Sequence, residues 1–248
     1  MDNPLPLDFG PKRRGNNNLS RAQEFLKPIV YGGNDGIVTT FAIVAGFAGA
    51  QAEGTAQLGV LAVLVFGLAN LLADALSMGL GEFLSGRSQA DLYRNQRAHA
   101  LDEIARAPDT SAQSVADILQ QRGLPPETAE QVAKLVLQSP DLAADLEMTY
   151  KYDMALPTST RPAADGMITF LSFVALGSVP LLPYFLMEPT GLTFQLSIAG
   201  TAAALLLLGL IRWHATQDSM LRAVAETLSV GGGCAFVAYL VGALVSGI

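Results

Sequence analysis

Four side chains with metal-binding chemistry recur at every fourth residue of one otherwise apolar segment. Asn70, Asp74, Met78 and Glu82 lie between residues 58 and 84, and this spacing places them on one face of an α-helix. Carboxylates bind divalent cations, whereas a thioether is unsuited to Ca²⁺ or Mg²⁺ but tolerable for Fe²⁺ and other transition metals. The pattern therefore predicts a transition-metal site on this face, although Met78 could also serve helix packing alone.

The preceding apolar segment carries one more carboxylate. Asp35 stands in the sequence YGGNDG, residues 31–36, whose glycines predict a broken helix with free backbone carbonyls that line a cavity. A charge at the centre of a bilayer costs on the order of 2.5 kcal/mol or more, so Asp35, Asp74 and Glu82 need polar surroundings. A water-filled path would supply them. Two alternatives stay open: Asp35 and Glu82 could lie near the cytoplasmic interface, and Asp74 could bind a proton.

The segments that hold these residues are long enough to cross a membrane. A membrane-spanning helix needs about 20 predominantly apolar residues. Five segments qualify, at residues 29–50, 58–84, 166–186, 192–211 and 228–248. The sequence therefore predicts an all-α integral membrane protein with five transmembrane helices and a polar helical insert between helices 2 and 3. The predicted parts are a tail at 1–28, helices 1–2 at 29–85, the insert at 86–162 and helices 3–5 at 163–248.

The basic residues predict the orientation of these helices. All 15 Lys and Arg residues precede helix 1, lie in the insert, or lie between helices 4 and 5. Cytoplasmic loops of membrane proteins carry the excess of Lys and Arg. We therefore expect the N-terminus and the insert in the cytoplasm and the C-terminus outside. The polar N-terminal stretch lacks the apolar region of a secretory signal peptide.

The insert is predicted to be a continuation of helix 2 followed by three short helices. Asp109 or Ser111 could cap the first of these, Pro125 opens the next, and Ser139 before Pro140 caps the last. Apolar residues at helical spacing within them predict a small helical bundle.

The insert also holds a second set of candidate ligands. Glu147 beside Met148 repeats the pairing of a carboxylate with a thioether, and Glu103 belongs to the same acidic population. These three residues are the candidates for a metal site in the insert. The alternative is that the acids only form a solvated helical surface.

Several functional classes are disfavoured by composition. The net charge of −7 gives no electrostatic support for nucleic-acid binding. Cys234 is the single cysteine, which excludes an internal disulfide and a cysteine-based metal cluster. His99 and His214 follow no metal-ligand spacing. The sequence shows no nucleophile–base arrangement, phosphate loop or cofactor fingerprint, so we expect neither an enzyme nor a tightly bound cofactor.

Two long motifs resemble one known family. YGGNDGIVTTFAIVAG at 31–46 and LANLLADALSMGLGEFLS at 68–85 resemble the vacuolar iron transporter family, and RGLPPETAEQVAKLV and FLSFVALGSVPLLPYF resemble its bacterial members. The resemblance implies a five-helix protomer that dimerises, with a cytosolic helical metal-binding insert. It also implies transport of Fe²⁺, and often Mn²⁺, out of the cytosol in exchange for protons. The pore metal site of the family carries over onto Asp35 and Met78, and Glu82 matches the glutamate that follows in the motif.

The sequence departs from the family pattern at two places. The first insert helix has few of the usual glutamates, and Asp74 lies where many members carry a small residue. We expect an exporter of Fe²⁺ or Mn²⁺ that works by proton antiport as a homodimer in a bacterial inner membrane. The alternative is a membrane-anchored metal sensor or interaction protein that works through its cytosolic insert.

Overall fold

The protein is all-helical over the residues described by a computed structural model, namely 17–50, 56–156, 161–188, 190–216 and 219–246. The predicted all-α class is therefore confirmed for these residues. The predicted tail lies outside the described residues up to residue 16, and from Asn17 onward it belongs to the first helix. The helices are α1 (Asn17–Gly49), α2 (Ala56–Arg106), α3 (Pro108–Gln121), α4 (Pro126–Val136), α5 (Pro140–Tyr150), α6 (Pro162–Gly177), α7 (Leu182–Leu186), α8 (Gly191–Thr216) and α9 (Met220–Ser246), with a 3-10 turn at Val179–Leu181.

The chain divides into two compact units. Residues 1–83 and 161–248 form one, here called the membrane unit, and residues 84–160 form the other, called the insert unit. Helix α2 is a single helix of 51 residues that begins in the membrane unit and ends in the insert unit. The continuation of helix 2 beyond its apolar part is therefore confirmed.

Four described helical segments are long and apolar enough to cross a membrane. They are Gly59–Arg106, Pro162–Leu186, Gly191–His214 and Met220–Ser246. Helix α1 is not among them, because Asn34, Asp35 and several glycines dilute its apolar residues. Helix α1 nevertheless packs inside the membrane unit: Ile37 and Val44 are fully buried, and α1 contacts α6, α8 and α9.

The predicted break in helix 1 is wrong. Helix α1 runs without interruption through residues 31–36, although a glycine costs a helix about 1 kcal/mol relative to alanine. The glycines are needed for a close approach: a Cβ at Gly32 or Gly36 would lie 2.5 Å from the carbonyl oxygen of Thr169 or Phe173 in α6. Packing of the two backbones offsets the poor helix propensity, as in other membrane helix pairs with small interface residues.

The third predicted span is divided. Helix α6 ends at Gly177 and is followed by the 3-10 turn and the short α7, because Pro180 and Pro183 lack the amide hydrogen that a continuous helix requires. The hydroxyl of Ser197 in α8 donates to the carbonyl oxygen of Pro180 at 2.7 Å. This bond satisfies a backbone acceptor that the turn leaves inside the membrane unit.

The insert unit is a small helical bundle. Its core consists mainly of alanines from α2 to α5, together with Ile104 and Val115. The Ser139 cap is confirmed, since its hydroxyl accepts from the backbone amide of Leu142 at 3.4 Å. The predicted caps of the first short helix, Asp109 or Ser111, are wrong: α3 begins at Pro108, and both residues lie inside it. Proline at the first helical position displaced the expected start.

Candidate metal site

Among the predicted pore residues, Asp35 of α1 and Asp74 of α2 are the pair whose carboxylates interact across two helices. Both side chains are half-buried, and the two negative charges are near enough to repel each other. The structure thus brings together two carboxylates that are 39 positions apart in the sequence. Like charges in a poorly solvated place are stabilised by a bound cation.

The polar face of α2 lies at the border between packed and open surface. Asn70, Asp74, Met78 and Glu82 are all half-buried. The residues that directly follow the first three of them, Leu71, Ala75 and Gly79, are buried against other helices. The residue that directly precedes each of the four is exposed. The four side chains therefore share one face of α2, and within this chain that face is only partly enclosed.

Asp74 is held by its neighbour on the same face. The amide nitrogen of Asn70 donates to Asp74 Oδ2 at 2.6 Å. A bond from a neutral donor fixes the orientation of the carboxylate without neutralising its charge. The bond therefore holds the Asp74 carboxylate in one orientation on the polar face of α2.

Met78 lies one helical turn from Asp74 and one turn from Glu82. It is half-buried and packs against the apolar cluster that includes Phe41, Ala75 and Phe173. This contact fits both roles considered for it, as a packing residue and as a soft ligand at the edge of the site.

Glu82 is paired with a residue that the sequence did not suggest. Lys27 Nζ of α1 lies 3.1 Å from Glu82 Oε1. Lys27 precedes Asp35 by eight residues and Glu82 follows Asp74 by eight. Antiparallel helices that bring Asp35 to Asp74 therefore also bring Lys27 to Glu82, about 12 Å further along the helix axis.

A cleft of about 710 Å³ between α1, α8 and α9 opens onto Asp35. Its polar lining includes Lys27, Asn34 and an ion pair in which Arg212 Nη2 lies 2.7 Å from Glu226 Oε2. Asp35 is thus reached from a cleft that also holds charged side chains, and its charge interacts with that of Asp74.

Other buried polar groups of the membrane unit escaped the sequence analysis. Asp165 is 8% exposed and lies in the first turn of α6, where the helix dipole favours a carboxylate. The hydroxyls of Thr40 and Thr169 are buried without a hydrogen-bond partner among the described atoms. Asp165 could have been found from its place next to Pro162, which marks a helix start.

The three insert candidates do not share one environment. Glu147 and Met148 are buried in α5 at 1% and 0% exposure, whereas Glu103 is exposed on α2. Glu147 Oε1 and Glu103 Oε2 are linked through Lys151, whose Nζ lies 3.3 Å from the first and 3.7 Å from the second. Burial alone would lower the pKa of Lys151, but the Glu147 carboxylate and the Tyr152 hydroxyl together outweigh it, so the pKa lies above its usual value.

Among the described residues, no three His, Cys, Asp or Glu side chains converge as a metal site. Of the predicted ligands, Asp35 and Asp74 have interacting carboxylates, and Met78 lies one helical turn from Asp74. His99 and His214 are both exposed, as expected for residues without metal-ligand spacing.

Comparison with known proteins identifies the family. The VIT family profile matches residues 26–243. The chain is 30% identical over 224 residues to vacuolar iron transporter 1 of Arabidopsis thaliana, across 90% of this chain and 87% of that protein. It is 33% identical over 210 residues to vacuolar iron transporter 2 of Oryza sativa subsp. japonica, across 85% and 83%. It is also similar to the vacuolar iron transporter of Toxoplasma gondii, 28% identical across 92% and 77%. With the residues of the candidate site and the whole insert inside the match, the chain belongs to the VIT family.

Proposed function

We propose that this protein moves a divalent transition metal, Fe²⁺ or Mn²⁺, across a membrane, with Asp35, Asp74 and Met78 as the ligands along the path. The observation that carries the proposal is that Asp35 and Asp74 have interacting carboxylates on two helices that the Lys27–Glu82 ion pair joins at 3.1 Å, inside a unit made of apolar helices. The relatives are named vacuolar iron transporters, and members of the family are transporters rather than enzymes.

The proposal includes α1 as a fifth membrane span. The helix has 33 residues and is therefore about 50 Å long, which exceeds the thickness of a bilayer core. Its apolar residues Ile37, Phe41 and Val44 are buried against neighbouring helices. A helix that packs at the centre of a bundle tolerates polar residues that a lipid-facing helix does not.

The proposed working form is a homodimer. The exposed side of α2 next to the polar face carries small residues at helical spacing, namely Ala69, Ala73, Ser77 and Gly81. Small residues let membrane helices approach closely. A second copy on this side would complete the enclosure of Asp74 and Met78, which one protomer leaves half-open. Crosslinking between copies through Ala73→Cys tests this arrangement, with the lipid-facing Phe236→Cys of α9 as the control.

The proposed direction is out of the cytoplasm, in exchange for protons. The distribution of Lys and Arg supports a cytoplasmic N-terminus and insert, and a C-terminus on the other side. The sequence expectation of a bacterial inner membrane stays a prediction, and the relatives carry vacuolar names. In a bacterial inner membrane and in a vacuolar membrane alike, the proposed transport carries metal away from the cytoplasm.

The alternative of a membrane-anchored sensor makes a different prediction for purified protein. A sensor binds metal but does not move it across a sealed membrane, whereas the proposed transporter does both. The decisive test is Fe²⁺ flux into proteoliposomes, with Mn²⁺, Co²⁺, Zn²⁺ and Ca²⁺ as competitors. Metal binding without any flux would support the sensor and overturn the transporter.

A further inference from the structure

The cleft between α1, α8 and α9 combines an apolar wall with charges of both signs. Its volume of about 710 Å³ lies within the range of about 300–1,000 Å³ that is typical of ligand sites. The apolar lining residues include Leu26, Val30, Leu208 and Val230. The charged lining residues are Lys27 and Arg212, which are basic, and Asp35 and Glu226, which are acidic. The charges of the described lining therefore balance, and the cleft suits an amphipathic ligand that carries both a positive and a negative group.

Three of these charges lie toward one end of the cleft. Arg212 is near the end of α8, Glu226 is near the start of α9, and Lys27 precedes the apolar part of α1. One helical turn from Lys27, Arg212 and Glu226, respectively, lie the apolar residues Val30, Leu208 and Val230. The Lys and Arg residues mark this end as the expected cytoplasmic side. The charged groups are therefore expected at the level of lipid headgroups, and the apolar residues at the level of acyl chains.

The ion pair between Arg212 and Glu226 is open to its surroundings. Arg212 Nη2 lies 2.7 Å from Glu226 Oε2, and the two side chains are 37% and 48% exposed. Lys27, which lines the same cleft, has an even more exposed side chain. A ligand with a negative and a positive group can lie antiparallel to such an ion pair and form charge-assisted bonds to both of its ends.

We propose that this cleft binds a phospholipid whose headgroup carries a primary ammonium, of the class of phosphatidylethanolamine. The phosphate accepts from Arg212 and Lys27, the ammonium donates to Glu226, and an acyl chain lies along Val30, Leu208 and Val230. Basic pockets between membrane helices on the cytoplasmic side are common sites for lipid headgroups. A seated lipid would also cover the opening of the cleft onto Asp35. The proposal concerns lipid binding and stands whether or not the membrane unit transports metal.

The headgroup chemistry predicts an order of affinities. Phosphatidylcholine has the same phosphate, but its methylated nitrogen has no N–H group to donate to Glu226. Phosphatidylglycerol has the phosphate and no positive group, so the carboxylates of Glu226 and Asp35 are left to repel it. We therefore expect phosphatidylethanolamine to bind most tightly of the three, about tenfold more tightly than phosphatidylcholine, since one charge-assisted hydrogen bond is lost.

The first test measures these affinities by native mass spectrometry of the delipidated full-length protein in detergent. The three phospholipids, with identical acyl chains, are titrated one at a time. Glycerophosphoethanolamine, the headgroup without acyl chains, is then added as a competitor and should not displace the lipid. Equal affinities for phosphatidylethanolamine and phosphatidylcholine would overturn the proposal. Displacement by glycerophosphoethanolamine at the concentrations at which the lipid binds would show a site for a soluble molecule and would also overturn it.

Substitutions in the ion pair assign the preference to this cleft. Glu226→Gln should bring the affinity for phosphatidylethanolamine down to that for phosphatidylcholine, whereas Arg212→Gln should weaken both, because both lipids carry the phosphate. Exposed ion pairs contribute little to stability, so both variants should fold. Glu188→Gln is the matched control, since Glu188 is an exposed carboxylate just before the opposite end of α8. A preference that survives Glu226→Gln, or that is lost equally in Glu188→Gln, would overturn the assignment.

The second test needs no substitution. Trp213 is the single tryptophan of the chain, directly follows Arg212 and is 38% exposed. The unaltered protein is reconstituted into phosphatidylcholine vesicles that contain, as a minor component, phosphatidylethanolamine or phosphatidylcholine with brominated acyl chains, which quench tryptophan fluorescence at short range. We expect stronger quenching of Trp213 by brominated phosphatidylethanolamine at equal content. Equal quenching by the two lipids would show that no headgroup is selected beside Arg212, and would contradict the proposal.

Discussion

The carboxylates of Asp35 in α1 and Asp74 in α2 lie near enough for their charges to repel each other. Eight residues further along each helix, Lys27 and Glu82 form an ion pair across the same two helices. The helix pair therefore carries two neighbouring carboxylates at one position along its axis and an ion pair at a second position, about 12 Å away. A divalent cation is expected to rest at the first of these, where no lysine compensates the charge in the described structure.

The role of Met78 is tested by Met78→Leu. The substitution keeps volume and apolar packing against the core, so the cost in stability should stay below about 1.5 kcal/mol. A thioether favours transition metals over hard ions. We therefore expect reduced Fe²⁺ flux and weaker discrimination against Ca²⁺ and Mg²⁺, measured by competition in proteoliposomes. Unaltered flux and selectivity would leave Met78 as a packing residue.

Substitutions in the Lys27–Glu82 ion pair distinguish two roles of Glu82, as the partner of a positive charge and as a carrier of the coupled proton. Lys27 is largely exposed, and such an ion pair contributes at most about 1 kcal/mol, so neither Lys27→Met nor Glu82→Gln should unfold the protein. If Glu82 carries the coupled proton, Glu82→Gln alters the pH dependence of Fe²⁺ flux, because an amide cannot bind and release a proton in this range. Lys27→Met is the control, with the carboxylate still present. Identical pH profiles for the unaltered protein and Glu82→Gln would remove Glu82 from the proton path.

The contact between α1 and α6 is tested by a matched pair of glycine substitutions. Gly36→Ala places a Cβ 2.5 Å from the carbonyl oxygen of Phe173, and such overpacking costs about 1–3 kcal/mol. Gly233→Ala in α9 would meet no described heavy atom within 4 Å and should gain up to about 1 kcal/mol of helix propensity. Thermal unfolding in detergent should therefore shift downward for the first and not for the second. Equal shifts would mean that α1 and α6 are further apart than described.

The predicted orientation is tested by thiol labelling in intact cells. Cys234 is exposed and is first replaced by alanine. A cysteine at Gln121, at the exposed end of α3, should resist a membrane-impermeant reagent, whereas one appended after Ile248 should react. Labelling in the reverse pattern would place the insert outside.

The sequence predicted the parts of the site that depend on a single helix. The four-residue spacing of Asn70, Asp74, Met78 and Glu82 places them on one face in any α-helix, and they share one. Four of the five apolar segments likewise lie in helical stretches that are long and apolar enough to cross a membrane, since the length of apolar sequence determines where a membrane helix can form.

The parts that depend on packing between helices were not predictable in the same way. The sequence does not specify a register between α1 and α2, so the partner of Glu82 was missed although Lys27 was visible. The glycines near Asp35 suggested a broken helix because only their low helix propensity was considered, without the packing of a neighbouring helix. Their contact with α6 reverses that conclusion, and the glycines turn out to position Asp35 rather than to free its backbone.

The central claim is tested most directly by Fe²⁺ flux per folded protein in liposomes for Asp35→Asn. This substitution keeps the size of the side chain and removes the charge that would compensate a dehydrated cation. The matched control is Asp153→Asn in the insert unit, an exposed residue with a φ of 51° that asparagine tolerates well. The account predicts that flux collapses for Asp35→Asn, with thermal stability preserved, and is unaltered for Asp153→Asn. Flux at the unaltered rate in folded Asp35→Asn would contradict a metal path that passes between Asp35 and Asp74.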